Sequence, residues 1–413
     1  MEVKLNTNRC FKNWIINTLR FYSQRTVGKL VGKRNPKLWV FSAWEGTKYS
    51  DNTRYLFEYI NQYNEKEITC VWMTKSDIAF SQVVDAGYKA CMIGTLEAKK
   101  IQGKAGVAVC THGMDDFGDF PNIFGACIVN LSHGAAGMKK TYYGLRKSNI
   151  LHRILSETKG RIFDYWYRDI TITTSAFCRE VFRTETLLHN DMPVIGLPRN
   201  DFLNNEIKDL SEVLSEFIIE RYCLKNDMPI LTYMPTYRPT KKSQEQLERY
   251  IAQISSNERL NGLLNRYNAK LFMKMHYLTD ISNITFNENI ILLKDSDIVD
   301  VQKLLQLTKA LITDYSGCAT DYALKNRPII LFTPDLDDYM AETGIYKEYV
   351  DILHRCHVES IDELIDAIED CFKNRFSTLE AVKEINKIFN ERALEVGTFR
   401  QMTYEYICNK LEI

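Results

Sequence analysis

With 413 residues, 45% hydrophobic and 26% charged, the chain is too long for one ordinary core; its make-up excludes a disordered protein or a membrane bundle and points to two domains. A formal net charge of +0 conceals a basic start, because residues 1–37 carry nine Lys and Arg against Glu2 alone. No apolar run approaches the roughly 18 residues of a spanning helix; Met1 to Cys10 lacks a secretory apolar stretch, and the 11 scattered cysteines read as reduced thiols of a cytoplasmic protein.

In chain order, Phe11, Trp14, Ile15, Leu19 and Tyr22 recur at helical spacing. They predict a basic amphipathic helix suited to an anionic membrane surface, where each nearby Lys or Arg contributes about 1 kcal/mol; packing against its own domain is the alternative. Beyond residue 37 the chain is net acidic and offers no basic stripe to nucleic acid. Short apolar, β-branched runs then predict strands at 38–44, 68–74, 107–112, 127–133, 170–175 and 192–196, and again at 229–234, 270–276, 290–293, 310–314 and 328–332. Helical patterns fall between them, at Asn52–Tyr63, Ser211–Tyr222, Ser243–Arg266 and Val299–Leu307. Such alternation is the mark of parallel βαβ units. The expected fold is therefore α/β and GT-B-like, with two doubly wound Rossmann-type domains facing each other across a cleft. Its parts are a basic amphipathic arm (1–37), an N-terminal domain (38–195), a C-terminal domain (196–376) and terminal helices (377–413), with the seam at Gly196-Leu-Pro-Arg-Asn-Asp201.

Chemistry-bearing residues cluster at predicted strand ends, where open α/β sheets bind ligands. His133 ends one strand, with Gly134 after it leaving room for a substrate and Lys140 close by. It could act as a general base near neutral pH, or be a structural histidine bonded to a neighbouring carbonyl. Lys274 and His276, two apart on a strand, point the same way and could meet one anionic group. Thr313-Asp314-Tyr315-Ser316-Gly317 closes a buried strand with hydroxyls and backbone N–H groups at a helix start, a setting for a diphosphate. Asp321, one turn on, could accept from a ribose hydroxyl or favour the helix start. Arg199 with Asn200, and Thr236 with Arg238, could clamp phosphate or form interdomain ion pairs. Thr111-His112-Gly113 is a further polar strand end that could touch an acceptor. The carboxylates of Asp295-Ser-Asp297-Ile-Val-Asp300 read as a helix cap rather than a metal site. P-loop, zincin and nucleophile-elbow motifs are missing from the sequence.

The wording from Leu311 to Cys318, with Asp321-Tyr-Ala and Asn326-Arg-Pro, closely resembles the donor-binding segment of the CDP-glycerol glycerophosphotransferases, which build teichoic acids and related phosphopolymers. Five more stretches resemble the same family in order: Trp44 to Asn52, with Gly46 and Asn52 in place; His133-Gly134 with its following Lys; Gly196 to Asp201; Pro235-Thr236-Tyr-Arg238; and Lys274-x-His276. The chain departs from the family pattern at Ser132 (Trp), Ala135-Ala136 (Thr-Pro), Tyr277 (Pro) and Gly317 (Ser). The resemblance implies a transferase that passes glycerol phosphate, or another alditol phosphate, from a CDP-linked donor to a lipid-linked or polymeric glycan, releasing CMP. It implies His133 as base, with Gly46, Asn52, Gly134 and Lys140 on the acceptor side. His276, Lys274, Thr236, Arg238, Thr313 to Gly317 and Asp321 would serve the donor. No cofactor or metal is required, and the enzyme is expected on the inner face of the cell membrane. A nucleotide-sugar glycosyltransferase and a non-catalytic polymer-binding relative are the competing readings.

Overall fold

Burial on both faces is what the apolar runs predict, and the computed structural model shows it; residues 26, 34–63, 66–119, 121–140, 168–186, 190–275, 279, 284–375 and 379–413 are described. Strands β1 (Asn35–Phe41), β2 (Thr69–Thr74), β3 (Ala90–Met92), β4 (Ala105–Cys110), β5 (Cys127–Asn130) and β6 (Ile170–Thr171) form one sheet. Strands β7 (Ile230–Met234), β8 (Lys270–Lys274), β9 (Ile290–Leu293), β10 (Ala310–Thr313), β11 (Ile329–Phe332) and β12 (His357–Val358) form the other. The orders are β3-β2-β1-β4-β5-β6 and β12-β11-β10-β7-β8-β9. Numbered from its own first strand, the second sheet repeats the order of the first. Every pairing is parallel. Each sheet is therefore doubly wound, and its crevice opens where the order reverses, between β1 and β4 and between β7 and β10.

Side-chain alternation fills the cores. Trp39 and Phe41 join Trp72, Val107 and Val109 on one face of the first sheet, while Val40 between them joins Met73, Ala108 and Cys110 on the other. In the second sheet Leu311 and Ile312 divide in the same way between two cores. With helices on both faces, the strands become continuously apolar rather than alternating with polar residues.

Several expectations change. The edge strands β3 and β12 are too short to stand out as apolar runs. Residues 192–196 contribute only isolated bridges, Thr173 to Val194 among them. The helix expected from Ser243 to Arg266 is two, α1 (Lys241–Ser255) and α2 (Glu258–Arg266). The Asn257 side chain accepts the Leu260 N–H at 3.0 Å and so starts the second. Asp300 likewise caps α3 (Val301–Leu307), its carboxylate accepting the Gln302 N–H at 2.7 Å. The amphipathic helix expected in the basic arm lies outside the described residues. No helix among the described residues is long and apolar enough to cross a membrane.

The last helix, α4 (Phe399–Leu411), returns to the first sheet, where Tyr404, Ile407 and Cys408 enter the core of Trp39, Phe41 and Phe57. Asp201 fixes its start by accepting the N–H groups of Gly397, Phe399 and Arg400 and the Arg400 Nε–H, at 2.9–3.1 Å. A carboxylate there also meets the positive helix end. Truncating the fully buried Ile407 to Ala should lower unfolding stability by about 2–5 kcal/mol, read from urea denaturation; an unchanged midpoint would mean that α4 is not part of that core.

Candidate active site

The first half of the site is built on the ends of β1, β4 and β5. After β5 the chain turns sharply at Ser132, whose φ is 58°. The Asn52 side chain holds that turn by donating to the Ser132 and Leu131 carbonyls at 2.7 and 3.3 Å. His133 is thereby presented outward and is exposed, and neither ring nitrogen has a hydrogen-bond partner among the described residues. Its ring lies parallel to that of His112, 4.5 Å between centroids and 2° between planes. Trp44 closes the group, 4.7 Å from His112 and 6.3 Å from His133.

Supporting groups lock this arrangement. The His112 Nδ1 is 2.9 Å from the Thr111 hydroxyl. Buried Asp116 accepts the N–H groups of Thr111, His112 and Glu45 at 2.8, 3.0 and 2.7 Å. Arg168 donates to the His112 carbonyl at 2.6 Å. Gly46 has a φ of 78°, and a Cβ there would lie 2.9 Å from the Asp116 carbonyl, so only glycine lets the β1 loop approach. Crowding by protein atoms, then the charge of His112, lowers the His133 pKa to about 4. The imidazole is therefore neutral near pH 7 and free to accept a proton.

The second half lies after β7 and β10. Ser316 and Gly317 are half-buried, open the helix Cys318–Ala323, and have backbone N–H groups without a partner among the described residues. What holds them is an ion network beneath. Arg238, 2% exposed, donates to Asp314 at 2.9 Å and to both oxygens of Asp335 at 2.6 and 3.0 Å. Asp314 also accepts the Thr236 and Tyr315 N–H groups. The Tyr315 hydroxyl donates to Asp335, and its ring stacks on Tyr339 at 3.9 Å.

Arg199 joins the halves. Its guanidinium donates to Asp51 at 2.7 Å and to Asp321 at 2.6 Å, and its backbone N–H donates to Asn52 at 3.1 Å. Asn200 and Gln302 complete Asp321 at 2.9 and 3.0 Å. Burial alone would lower the Arg199 pKa; Asp321 and Asp51 outweigh it and raise the value. Arg199 also lies beside Gly134, where a Cβ would be 3.8 Å from its Nη2. Arg199 thus stands between the strand ends that carry His133 and Ser316–Gly317.

Of the residues expected on the donor side, Arg238, Thr313, Asp314, Tyr315 and Asp321 are buried, and the polar groups of Arg238, Asp314, Tyr315 and Asp321 are paired within the protein. Arg238, Asp314 and Tyr315 support the Ser316–Gly317 turn from beneath. Thr313 gives its hydroxyl to the Met234 carbonyl at 2.7 Å, whereas the Thr236 hydroxyl is buried without a partner among the described residues. Asn52 and Gly46 are likewise internal supports on the acceptor side. Lys274 is bound to Asp295 at 2.6 Å, which also faces Lys48 at 3.7 Å. Lys140 lies over the Tyr346 ring at 5.9 Å. His276 lies outside the described residues. Asp51 and Asp335, carboxylates far apart in sequence from their arginines, were not anticipated; no local motif marks them.

Known proteins match along most of the chain. The family profile described as CDP-Glycerol:Poly(glycerophosphate) glycerophosphotransferase matches residues 26–402. A teichoic acid poly(glycerol phosphate) polymerase of Bacillus spizizenii is 26% identical over 359 residues, 85% of this chain and 87% of that protein. A teichoic acid glycerol-phosphate transferase of Staphylococcus aureus is 25% identical over 89% of this chain and 92% of its own. The solved structure of the wall teichoic acid polymerase TagF shares the fold with a TM-score of 0.68 at 20% identity, covering 99% of this chain and 100% of that one.

Removing the charge of Arg238 leaves Asp314 and Asp335 buried and unpaired, so Arg238→Met should destabilise the fold by about 3–5 kcal/mol, measured by chemical denaturation; a loss of donor affinity at full stability would return it to the ligand. Replacing His112 with Phe keeps a ring but removes a charge that depresses its neighbour. The His133 pKa should then rise from about 4, followed as the pH titration of its ring proton resonances; an unmoved titration would uncouple the pair.

Proposed function

The chain belongs to the CDP-glycerol:poly(glycerophosphate) glycerophosphotransferase family, and on that premise we propose that it transfers glycerol phosphate, or a related alditol phosphate, from a CDP-linked donor to a hydroxyl of a lipid-linked or polymeric surface glycan, releasing CMP. What supports this reading is that the Asp51–Arg199–Asp321 bridge joins the elements behind His133 and behind Ser316 and Gly317, the neutral His133 ring and the Ser316 and Gly317 N–H groups having no hydrogen-bond partner among the described residues. His133 takes the proton of the acceptor hydroxyl as that oxygen closes on the donor's distal phosphorus. The new O–P bond forms in line with the P–O bond to CMP, which breaks. The Ser316 and Gly317 amides hold the diphosphate, aided by the positive end of the following helix. Lys274 and His276 belong to the same donor side, and CMP is a good enough leaving group for positioning and charge stabilisation to suffice.

Trp44 is 37% exposed and, tilted 53° to the His112 ring, offers an aromatic surface to the acceptor. The charge of residues 1–37 supports a peripheral position on the inner face of the cell membrane, beside a lipid-linked acceptor.

His133→Ala should abolish CMP release from CDP-glycerol and leave CDP binding intact; unchanged turnover would remove the base. Supplying CDP-ribitol in parallel identifies the alditol. In wild type the acid limb of kcat/KM reports the free enzyme and should fall near the pKa of about 4. The limb of kcat should lie higher, because the bound diphosphate's negative charge raises the basicity of the imidazole; coincident limbs would deny that the two groups share a field.

A further inference from the structure

Between the base and the C-terminal domain runs the segment Gly134–Lys140, and it does not stay on its own side. Gly137 has a φ of 106° and lies against the Phe177 ring, where any Cβ would collide. Met138 is then buried in the core of the second domain, with Leu311, Tyr315 and Ala319. The Met138 carbonyl accepts the Tyr346 N–H at 3.3 Å, the Lys140 N–H donates to the Gly344 carbonyl at 3.1 Å, and Lys139 forms an antiparallel bridge with Ile345. Lys139 is thus held by backbone on both sides at the donor half of the crevice. Its side chain is half-buried, and its ammonium has neither a hydrogen bond nor an ion pair among the described residues. Burial lowers its pKa, which Asp314 partly offsets; Asp314 is the residue that precedes Tyr315-Ser316-Gly317. That carboxylate is already occupied by Arg238 and the Thr236 and Tyr315 amides.

Half-buried and in the field of Asp314 and Cys318, on either side of the Tyr315–Gly317 turn, this ammonium has no anionic partner within ion-pair distance among the described residues. Resting on the transferase reading above, we propose that Lys139 is the cation that binds the diphosphate of a nucleoside diphosphate ester, delivered to the donor site by the same loop that carries the base. The paired lysines of the sequence then divide their roles, Lys139 toward the donor and Lys140 against Tyr346. Because only five residues lie between His133 and Lys139, the loop ties the position of the proton acceptor to that of the phosphate.

The test is CDP binding by calorimetry to the full chain. Lys139→Met should weaken CDP at least tenfold, Lys139→Arg should restore most of the affinity, and Lys140→Met should stay within about twofold, as expected when one charge-assisted hydrogen bond is lost. In parallel, lysine acylation of the wild-type chain read by mass spectrometry should show Lys139 protected at least fivefold by CDP, a readout that needs no variant to fold. Wild-type CDP affinity in Lys139→Met, or Lys139 labelling unaffected by CDP in a wild-type chain that binds it, overturns the assignment alone. A wild-type chain that binds no CDP overturns this assignment together with the transferase reading.

Discussion

The crevice depends on Arg199 standing between Asp51 and Asp321. Taking such charges out of water costs several kcal/mol per ion, and their attraction repays this only when geometry and further hydrogen bonds are complete. Here they are complete at Asp321 and incomplete elsewhere, since Asp51 Oδ2 and Arg199 Nε are buried without a partner among the described residues. Asp321 receives Asn200 and Gln302 besides the arginine, and the arginine's backbone is fixed by Asn52. An ion pair of this kind is weak evidence for stability, since apolar packing could hold two domains as well; what it supplies is direction. Asp51 opens the first helix after β1 and Asp321 lies in the helix after β10, so one guanidinium sets the carboxyl ends of both sheets against each other.

The same contacts reach the chemistry. Asn52 orients Arg199 with its oxygen and the turn before His133 with its amide. Asp51 raises the His133 pKa while Arg199 lowers it, so the bridge contributes to the field at the base as well as to its position. On the donor side, Arg238 between Asp314 and Asp335 repeats the device: a buried arginine between two carboxylates beneath a strand end. In each half an arginine with its carboxylates lies beneath a strand end, behind His133 in one and behind Ser316 and Gly317 in the other.

This explains what the sequence could and could not reveal. Apolar runs such as Val107–Cys110 and Leu311–Thr313 located the central strands because both faces are buried, and the reading of two facing doubly wound sheets followed. Three-residue β3 and two-residue β12 carry too few side chains for a period to register. For the site, strand ends were legible, but direction was not. Asp314 and Ser316 are two residues apart in one motif, yet one turns inward to Arg238 and the other opens the helix. Lys139 and Lys140 are neighbours on an irregular segment where no period assigns a face. The long-range partners Asp51 with Arg199 and Asp335 with Arg238 are joined by topology alone.

The departures from the family pattern near the base can be weighed in the same terms. Ser132 is buried, with a left-handed backbone, and its N–H donates to Asn130 at 2.8 Å; its side chain does not face the acceptor. Ala135 and Ala136 pack against the core of the second domain, so their small size serves the crossing of the loop. Neither departure alters the open surface around His133. That surface is shaped by Trp44 and His112, and Trp44 is held at a φ of 50°, followed by Glu45 at 54°, two successive left-handed residues that cost free energy and persist only where surrounding contacts enforce them. The enforcing contacts are the Asp116 carboxylate on the Glu45 N–H and the Thr111 hydroxyl on the Trp44 N–H. The setting of Trp44 and His112 beside His133 therefore rests on the strained β1 loop and its contacts more than on the residues that flank the histidine in sequence.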